Sequence, residues 1–218
     1  MPQAKPDPPA WGGLTVYRLG TEVSKASHVV ILMHGLGGTG KDLVPLGQVL
    51  TVSDSTCIIF PEAPNGLARG GRAWVRQPAD IQASRDKVVA LLTYIKQKTP
   101  KAEVVLGGFS QGATLASMFL EKDSQLVNAL ILLSPSGHLP AELTGAAKGK
   151  PLVFLAHGRN DAVLPFKGSD TLQKKLVEHE FEVDWLPFDG GHAIPQNVAT
   201  GINKFLVRLQ GSEVANDK

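Results

Sequence analysis

The chain has little cysteine, few tyrosines, no long apolar run and no excess of charge of either sign. Its single cysteine, Cys57, cannot form an internal disulfide and excludes a cysteine-built metal cluster. Lying in the strand-like run Thr56-Cys57-Ile58-Ile59-Phe60, it reads as a small buried hydrophobe rather than a reactive thiol. No stretch has the uninterrupted apolar length of a membrane span, so stable membrane insertion is not expected. Met1-Pro2-Gln3-Ala4-Lys5-Pro6 lacks the apolar core of a secretory signal, and the expected compartment is the cytoplasm. The 22 basic and 20 acidic residues are scattered and leave a net charge of +2, which gives no footprint for nucleic acid. No close pair of histidines or carboxylates has metal-ligand spacing, so neither metal nor organic cofactor is expected.

What the chain does have is a regular alternation of two periodicities over 218 residues, a length suited to one sizeable core. Continuous apolar runs, such as Val29-Val30-Ile31-Leu32-Met33, predict strands covered on both faces. Further strands are predicted at Leu14–Leu19, Cys57–Phe60, Val104–Leu106, Leu130–Leu133, Leu152–Leu155 and Val183–Leu186. Between them, apolar residues at helical spacing predict helices: Leu43, Leu46, Val49 and Leu50 behind an Asp42 N-cap, and Val88, Leu91, Leu92 and Ile95 ahead of Pro100. Others are Ala113–Leu120, a helix through Leu172, Leu176 and Val177, and a last one through Ile202, Phe205, Leu206 and Leu209. The pattern predicts an α/β fold with a mostly parallel central sheet and helices on both faces. Residues 1–10, with four prolines, are expected as a disordered or extended lead, 11–210 as a single domain, and 211–218 as a flexible tail. The long irregular stretch Pro61–Pro78 is expected to be a functional loop over a site.

The chemistry is signalled by Gly108-Phe109-Ser110-Gln111-Gly112, a G-x-S-x-G placed between a strand and a helix. A serine hydroxyl needs exposure, a nearby base and donors for the oxyanion it creates. Asp161 and His192 follow in the order Ser, Asp, His, each just beyond a predicted strand, where groups collect on one edge of an open α/β sheet. Ser110 is therefore the candidate nucleophile, His192 the base and Asp161 its orienting acid. Asp170, Asp184 and Asp189 compete less well: the first two fall inside a helix and a strand, and the third sits in a turn three residues before His192. The backbone N–H groups of Gln111 and of Leu36, in His34-Gly35-Leu36-Gly37-Gly38, are candidates for the oxyanion hole. His34 and His157 read as structural imidazoles behind the site.

These pieces, together with Pro61-Glu62-Ala63-Pro64, His157-Gly158 and Gly191-His192, resemble the phospholipase/carboxylesterase family of α/β-hydrolases over roughly Leu14–Leu209. That family includes acyl-protein thioesterases and small bacterial carboxylesterases. The resemblance implies the α/β-hydrolase fold, the triad Ser110, Asp161 and His192, and oxyanion donors at Leu36 and Gln111. It implies a serine carboxylesterase acting on a small-molecule ester of short to medium acyl length, with thioesterase or lysophospholipase activity as the nearest alternative. Trp74 and Leu164 are the residues expected to contact substrate. Trp74 matches the family's loop, but Val75-Arg76 stand where the family usually has an aromatic and an aspartate. A homodimer is compatible with the sequence and not readable from it.

Two further readings follow from the residues. Arg69, Arg72 and Arg76, three cations in eight positions, predict a preference for acidic or phosphorylated substrates. Gly35-Leu36-Gly37-Gly38-Thr39-Gly40 follows a strand and satisfies G-x-G-x-x-G, with Glu62 about 20 residues on. That is the pattern of a nucleotide-binding loop, though such a role leaves Ser110, Asp161 and His192 without a purpose.

Overall fold

A computed structural model describes residues 5–121, 123–137 and 150–212. Residues 1–4 of the expected lead and 213–218 of the expected tail lie outside the described residues.

Ten strands are formed: β1 (Lys5–Trp11), β2 (Leu14–Gly20), β3 (His28–Met33), β4 (Thr56–Pro61), β5 (Asn65–Gly66), β6 (Arg72–Ala73), β7 (Glu103–Phe109), β8 (Ala129–Leu133), β9 (Leu152–Gly158) and β10 (Val183–Phe188). Five α-helices accompany them: α1 (Val44–Val49), α2 (Asp80–Lys98), α3 (Gln111–Ser117), α4 (Phe166–Glu178) and α5 (Gln196–Ser212). Eight strands form one sheet in the order β1-β2-β4-β3-β7-β8-β9-β10. It is parallel from β4 to β10, with β1 and β2 added antiparallel at one edge.

Strand β3 shows why the apolar runs are continuous. Val29, Ile31 and Met33 face one core with α2, α3 and α4, while Val30 and Leu32 face a second core with α1 and α5. Side chains alternate across a strand, so a strand buried on both faces must be apolar at every position. Helix α2 presents Val88, Leu91, Leu92 and Ile95 to the first core, and α5 presents Val198, Ile202, Phe205 and Leu206 to the second. Burial of one such large aliphatic side chain stabilises by roughly 1.5–3 kcal/mol, so these two stripes hold the helices in place.

Three expectations are refined or corrected here. Lys5–Ala10, within the lead read as disordered or extended, are extended and with Trp11 form the edge strand β1 against β2, with a register irregularity between Asp7 and Trp11. Proline cannot donate to a ladder and is therefore confined to edges, which is where Pro6, Pro8 and Pro9 fall. Trp11 is buried, its ring 4.9 Å from that of Tyr94 on α2, and anchors the strand. Second, Asp42 is not an N-cap. It lies within a 3-10 turn, Gly40–Leu43, and its carboxylate reaches back to the N–H (3.1 Å) and hydroxyl (3.2 Å) of Thr39. Third, Pro61–Pro78 is not wholly irregular, because β5 and β6 form a small antiparallel hairpin within it.

Candidate active site

Strand β7 ends at Phe109 and α3 begins at Gln111, so the chain turns from strand to helix through one residue, Ser110. The turn forces Ser110 to φ 55° and ψ −116°, a conformation that side chains rarely adopt. Its neighbours must be glycine for a separate reason. A Cβ on Gly108 would lie 2.6 Å from the carbonyl oxygen of Met33, and one on Gly112 would collide with that same oxygen. Although Ser110 occupies the N-cap position of α3, its hydroxyl makes no capping bond. It lies 2.9 Å from Nε2 of His192.

The other partners come from the same edge of the sheet. Asp161 follows β9 and His192 follows β10, and His192 Nδ1 lies 2.6 Å from Asp161 Oδ2. The second carboxylate oxygen accepts the N–H groups of Val163 (2.8 Å) and Leu164 (2.9 Å). Burial raises the Asp161 carboxyl, but the Leu164 N–H, the His192 bond and the Val163 N–H outweigh it and hold the carboxyl below its ordinary range. An anionic acid at Nδ1 fixes the tautomer in which Nε2 is free to take a proton from Ser110. The rival carboxylates are engaged elsewhere: Asp170 with Lys174, Asp184 with Arg208 and Asp189 with Arg159.

His34 and His157 are both buried beside the site. His34 Nε2 accepts the N–H of Ala63 at 3.1 Å, so its proton is on Nδ1, which donates to the Gly35 carbonyl at 2.7 Å. Desolvation lowers the pKa of each imidazole and keeps both neutral. His157 Nε2 donates to the Leu164 carbonyl at 3.0 Å and lies 3.1 Å from Asp161 Oδ2, while Nδ1 meets the Ser169 hydroxyl of α4 at 2.7 Å. It therefore braces the turn that carries the acid.

Gln111 is the first residue of α3, where a backbone N–H has no partner within the helix. Both Gln111 and Leu36 line the cavity beside Ser110. The Gln111 side chain has a role that the sequence reading missed. Oε1 accepts the N–H groups of Trp74 (2.7 Å) and Val75 (3.2 Å), and Nε2 donates to the Val75 carbonyl at 2.7 Å. The elbow thus clamps the chain leaving the β5–β6 hairpin. That hairpin holds the Leu36 loop in turn, through Gly37 N–H to the Arg72 carbonyl (2.8 Å) and Arg72 N–H to the Gly38 carbonyl (2.9 Å).

A cavity of about 590 Å³ opens beside Ser110, walled by Leu36, Val75, Ile81, Leu115, Met118 and Leu164 among others. Its size and apolar lining are those of a small-molecule site. Leu164, one of the two residues expected to contact substrate, lines this cavity. Trp74 does not: it is fully buried, its indole N–H bonded to the His34 carbonyl at 2.9 Å, and it supports the loop from behind. Val75 takes the expected place on the wall. The arginine reading also fails, because Arg72 pairs with Glu62 (3.2 Å), Arg76 pairs with Asp80 (3.6 Å), and neither they nor the exposed Arg69 line the cavity. The nucleotide-loop reading loses two groups it needs, since Gly37 N–H is taken by Arg72 and Glu62 is held by Arg72 and Tyr17.

The family described as Phospholipase/Carboxylesterase matches residues 20–209. The chain belongs to that family. An acyl-protein thioesterase 1 of Saccharomyces cerevisiae is 30% identical over 192 residues, covering 76% of this chain and 84% of the yeast protein. The acyl-protein thioesterase 1 of Kluyveromyces lactis is 28% identical over 195 residues, covering 78% and 85%. Among solved structures, esterase PE8 superposes with a TM-score of 0.75 at 27% identity, covering 89% of this chain and 98% of that one. The carboxylesterase of Bacillus cereus shares the fold, with a TM-score of 0.74 at 20% identity, over 89% of this chain and 94% of its own. This member of the family is a hydrolase of the carboxylesterase and acyl-protein thioesterase type with an α/β-hydrolase fold. Among the described residues no helix is long and apolar enough to cross a membrane, and no group of three or more metal-ligating side chains gathers.

Proposed function

We propose that this family member is a serine carboxylesterase that hydrolyses short- to medium-chain esters through an acyl-Ser110 intermediate. The observation that carries the reading is the unbroken relay from Ser110 Oγ to His192 Nε2 at 2.9 Å and from His192 Nδ1 to Asp161 at 2.6 Å, at the mouth of an apolar cavity. Ser110 Oγ attacks the acyl carbon as His192 Nε2 takes its proton, and the carbonyl oxygen becomes an oxyanion facing the N–H groups of Leu36 and Gln111. Collapse breaks the bond to the leaving oxygen or sulfur, which receives the proton from His192. A water, deprotonated by His192, then attacks the acyl-serine, and the carboxylic acid leaves as Ser110 recovers its proton.

A second reading, thioester hydrolysis, is favoured by the thioesterase names of the two yeast relatives and uses the same steps. A fluorophosphonate probe should label the wild-type protein stoichiometrically and leave Ser110→Ala unlabelled. Oxygen esters and thioesters of graded acyl length, assayed on one preparation, then decide between the readings. Labelling of Ser110→Ala, or undiminished turnover by it, would overturn the mechanism.

A further inference from the structure

A second cavity, of about 500 Å³, meets the first at His192. The two share Gly35, Leu36, Phe109 and His192, and beyond these the second is walled by His34, Asp42 and Ile194 among others. An ester carries two arms on its carbonyl carbon, and once that carbon rests on Ser110 the arms must leave in different directions. The apolar cavity suits an acyl chain. The second, bounded by His192 and its neighbours Ala193 and Ile194, suits the leaving arm, because His192 must hand its proton to the leaving atom.

The charges around this second cavity are one-sided. Among the described lining residues Asp42 is an acid and none is a lysine or arginine, and the first cavity has no acid, lysine or arginine. His34 adds no positive charge, since its buried ring is neutral. The nearby cations are directed elsewhere: the Lys41 ammonium lies 5.2 Å from the centre of the Tyr17 ring, Arg72 is paired with Glu62 and Arg76 with Asp80. Asp42 is exposed, and its carboxylate is held by Thr39. We infer that the second cavity is the leaving-group subsite, and that Asp42 makes it favour neutral or cationic alcohols and thiols over anionic ones. This inference rests on the ester-hydrolase reading and adds to it the chemistry of the leaving group.

Three thioesters of one acyl group test it, with thiocholine, 2-mercaptoethanol and 3-mercaptopropionate as leaving thiols. Each kcat/KM is divided by the hydroxide-catalysed rate of the same ester, which removes intrinsic reactivity. At low ionic strength a unit charge about 8 Å from Asp42 across water alters the rate by two- to three-fold in either direction, giving a cation-to-anion ratio of about five. That ratio should collapse toward one for Asp42→Asn, which keeps an amide oxygen for Thr39, and in the wild type at about 0.5 M salt. The salt titration needs no variant and so holds even if Asp42→Asn folds poorly. Hydrolysis of the neutral thioester with a ratio near one, a ratio favouring the anion, or a ratio insensitive to salt overturns the inference and leaves the hydrolase reading standing. No turnover of any of the three, together with no fluorophosphonate labelling, overturns the hydrolase reading itself.

Discussion

Removing the Gln111 side chain should loosen the wall of the acyl cavity without touching the reacting atoms. Gln111→Ala keeps the backbone N–H proposed as an oxyanion donor but deletes three hydrogen bonds, to Trp74 N–H, Val75 N–H and the Val75 carbonyl. Trp74 is fully buried, so its N–H loses an acceptor where water has little access, at about 1–3 kcal/mol. The two bonds to half-buried Val75 add roughly 0.5–1 kcal/mol each, for a total of about 2–5 kcal/mol. In a domain of this size that lowers Tm by roughly 4–20 °C. Turnover should fall about ten-fold as Val75 and the loop behind it shift, far less than on loss of a triad member. Gln111→Glu retains an acceptor for both N–H groups but sets a carboxylate against the Val75 carbonyl, and should fall between wild type and Gln111→Ala. Thermal unfolding and ester kinetics on the three proteins check this. A Gln111→Ala protein that melts with the wild type and keeps its kcat/KM would show that the clamp holds nothing.

Ser110→Ala should cost a factor on the order of 10⁴ or more in kcat with folding intact. Ser110→Gly should be equally inactive yet more stable by about 1 kcal/mol, because it relieves the backbone strain at φ 55°; an unchanged or lower Tm would refute the strain argument. Asp161→Asn should lose a factor on the order of 10³–10⁴, whereas Asp189→Asn should be nearly neutral, and the reverse pattern in kcat would move the acid. On acidification kcat/KM should fall as His192 takes up the proton it must accept from Ser110, and a flat profile would remove it as the base. Stability should fall in the same direction. The folded pKa values of His34 and His157 lie below their unfolded value of about 6.5, so the unfolded chain binds more protons there. Their contribution is present above about pH 6.5 and is lost as pH drops through the folded values. A Tm that rises on acidification from pH 7 would contradict this sign.

Strands β3, β4 and β7–β9 are legible in the sequence because their central positions are buried and must be apolar, while the half-buried edge strand β10 is legible from Val183, Trp185 and Leu186. The proposed triad is legible because each member follows a strand in chain order. The edge strand β1 is not, since an edge tolerates prolines that elsewhere argue against a strand. Trp74 was misplaced for a different reason. Its position in the rim loop suggested contact with substrate, but an indole N–H seeks a buried acceptor, and the His34 carbonyl behind the loop supplies one. The three arginines formed a cluster only in the linear chain; Glu62 and Asp80 neutralise two of them in space. The side-chain role of Gln111 had one available signal, a long amide within the elbow where a small residue would have sufficed for the turn.

The β5–β6 hairpin and the Leu36 loop are joined through main-chain groups, Gly37 and Gly38 on one side and Arg72 on the other. Main-chain bonds make few demands on side chains, beyond Gly70 and Gly71, whose positive φ favours glycine. The tip of the hairpin, Leu67–Arg69, can therefore be rewritten while the proposed oxyanion donors stay in register. For an engineer the hairpin is an interchangeable cartridge, clipped to the catalytic machinery by its backbone and free to carry new contacts for new substrates.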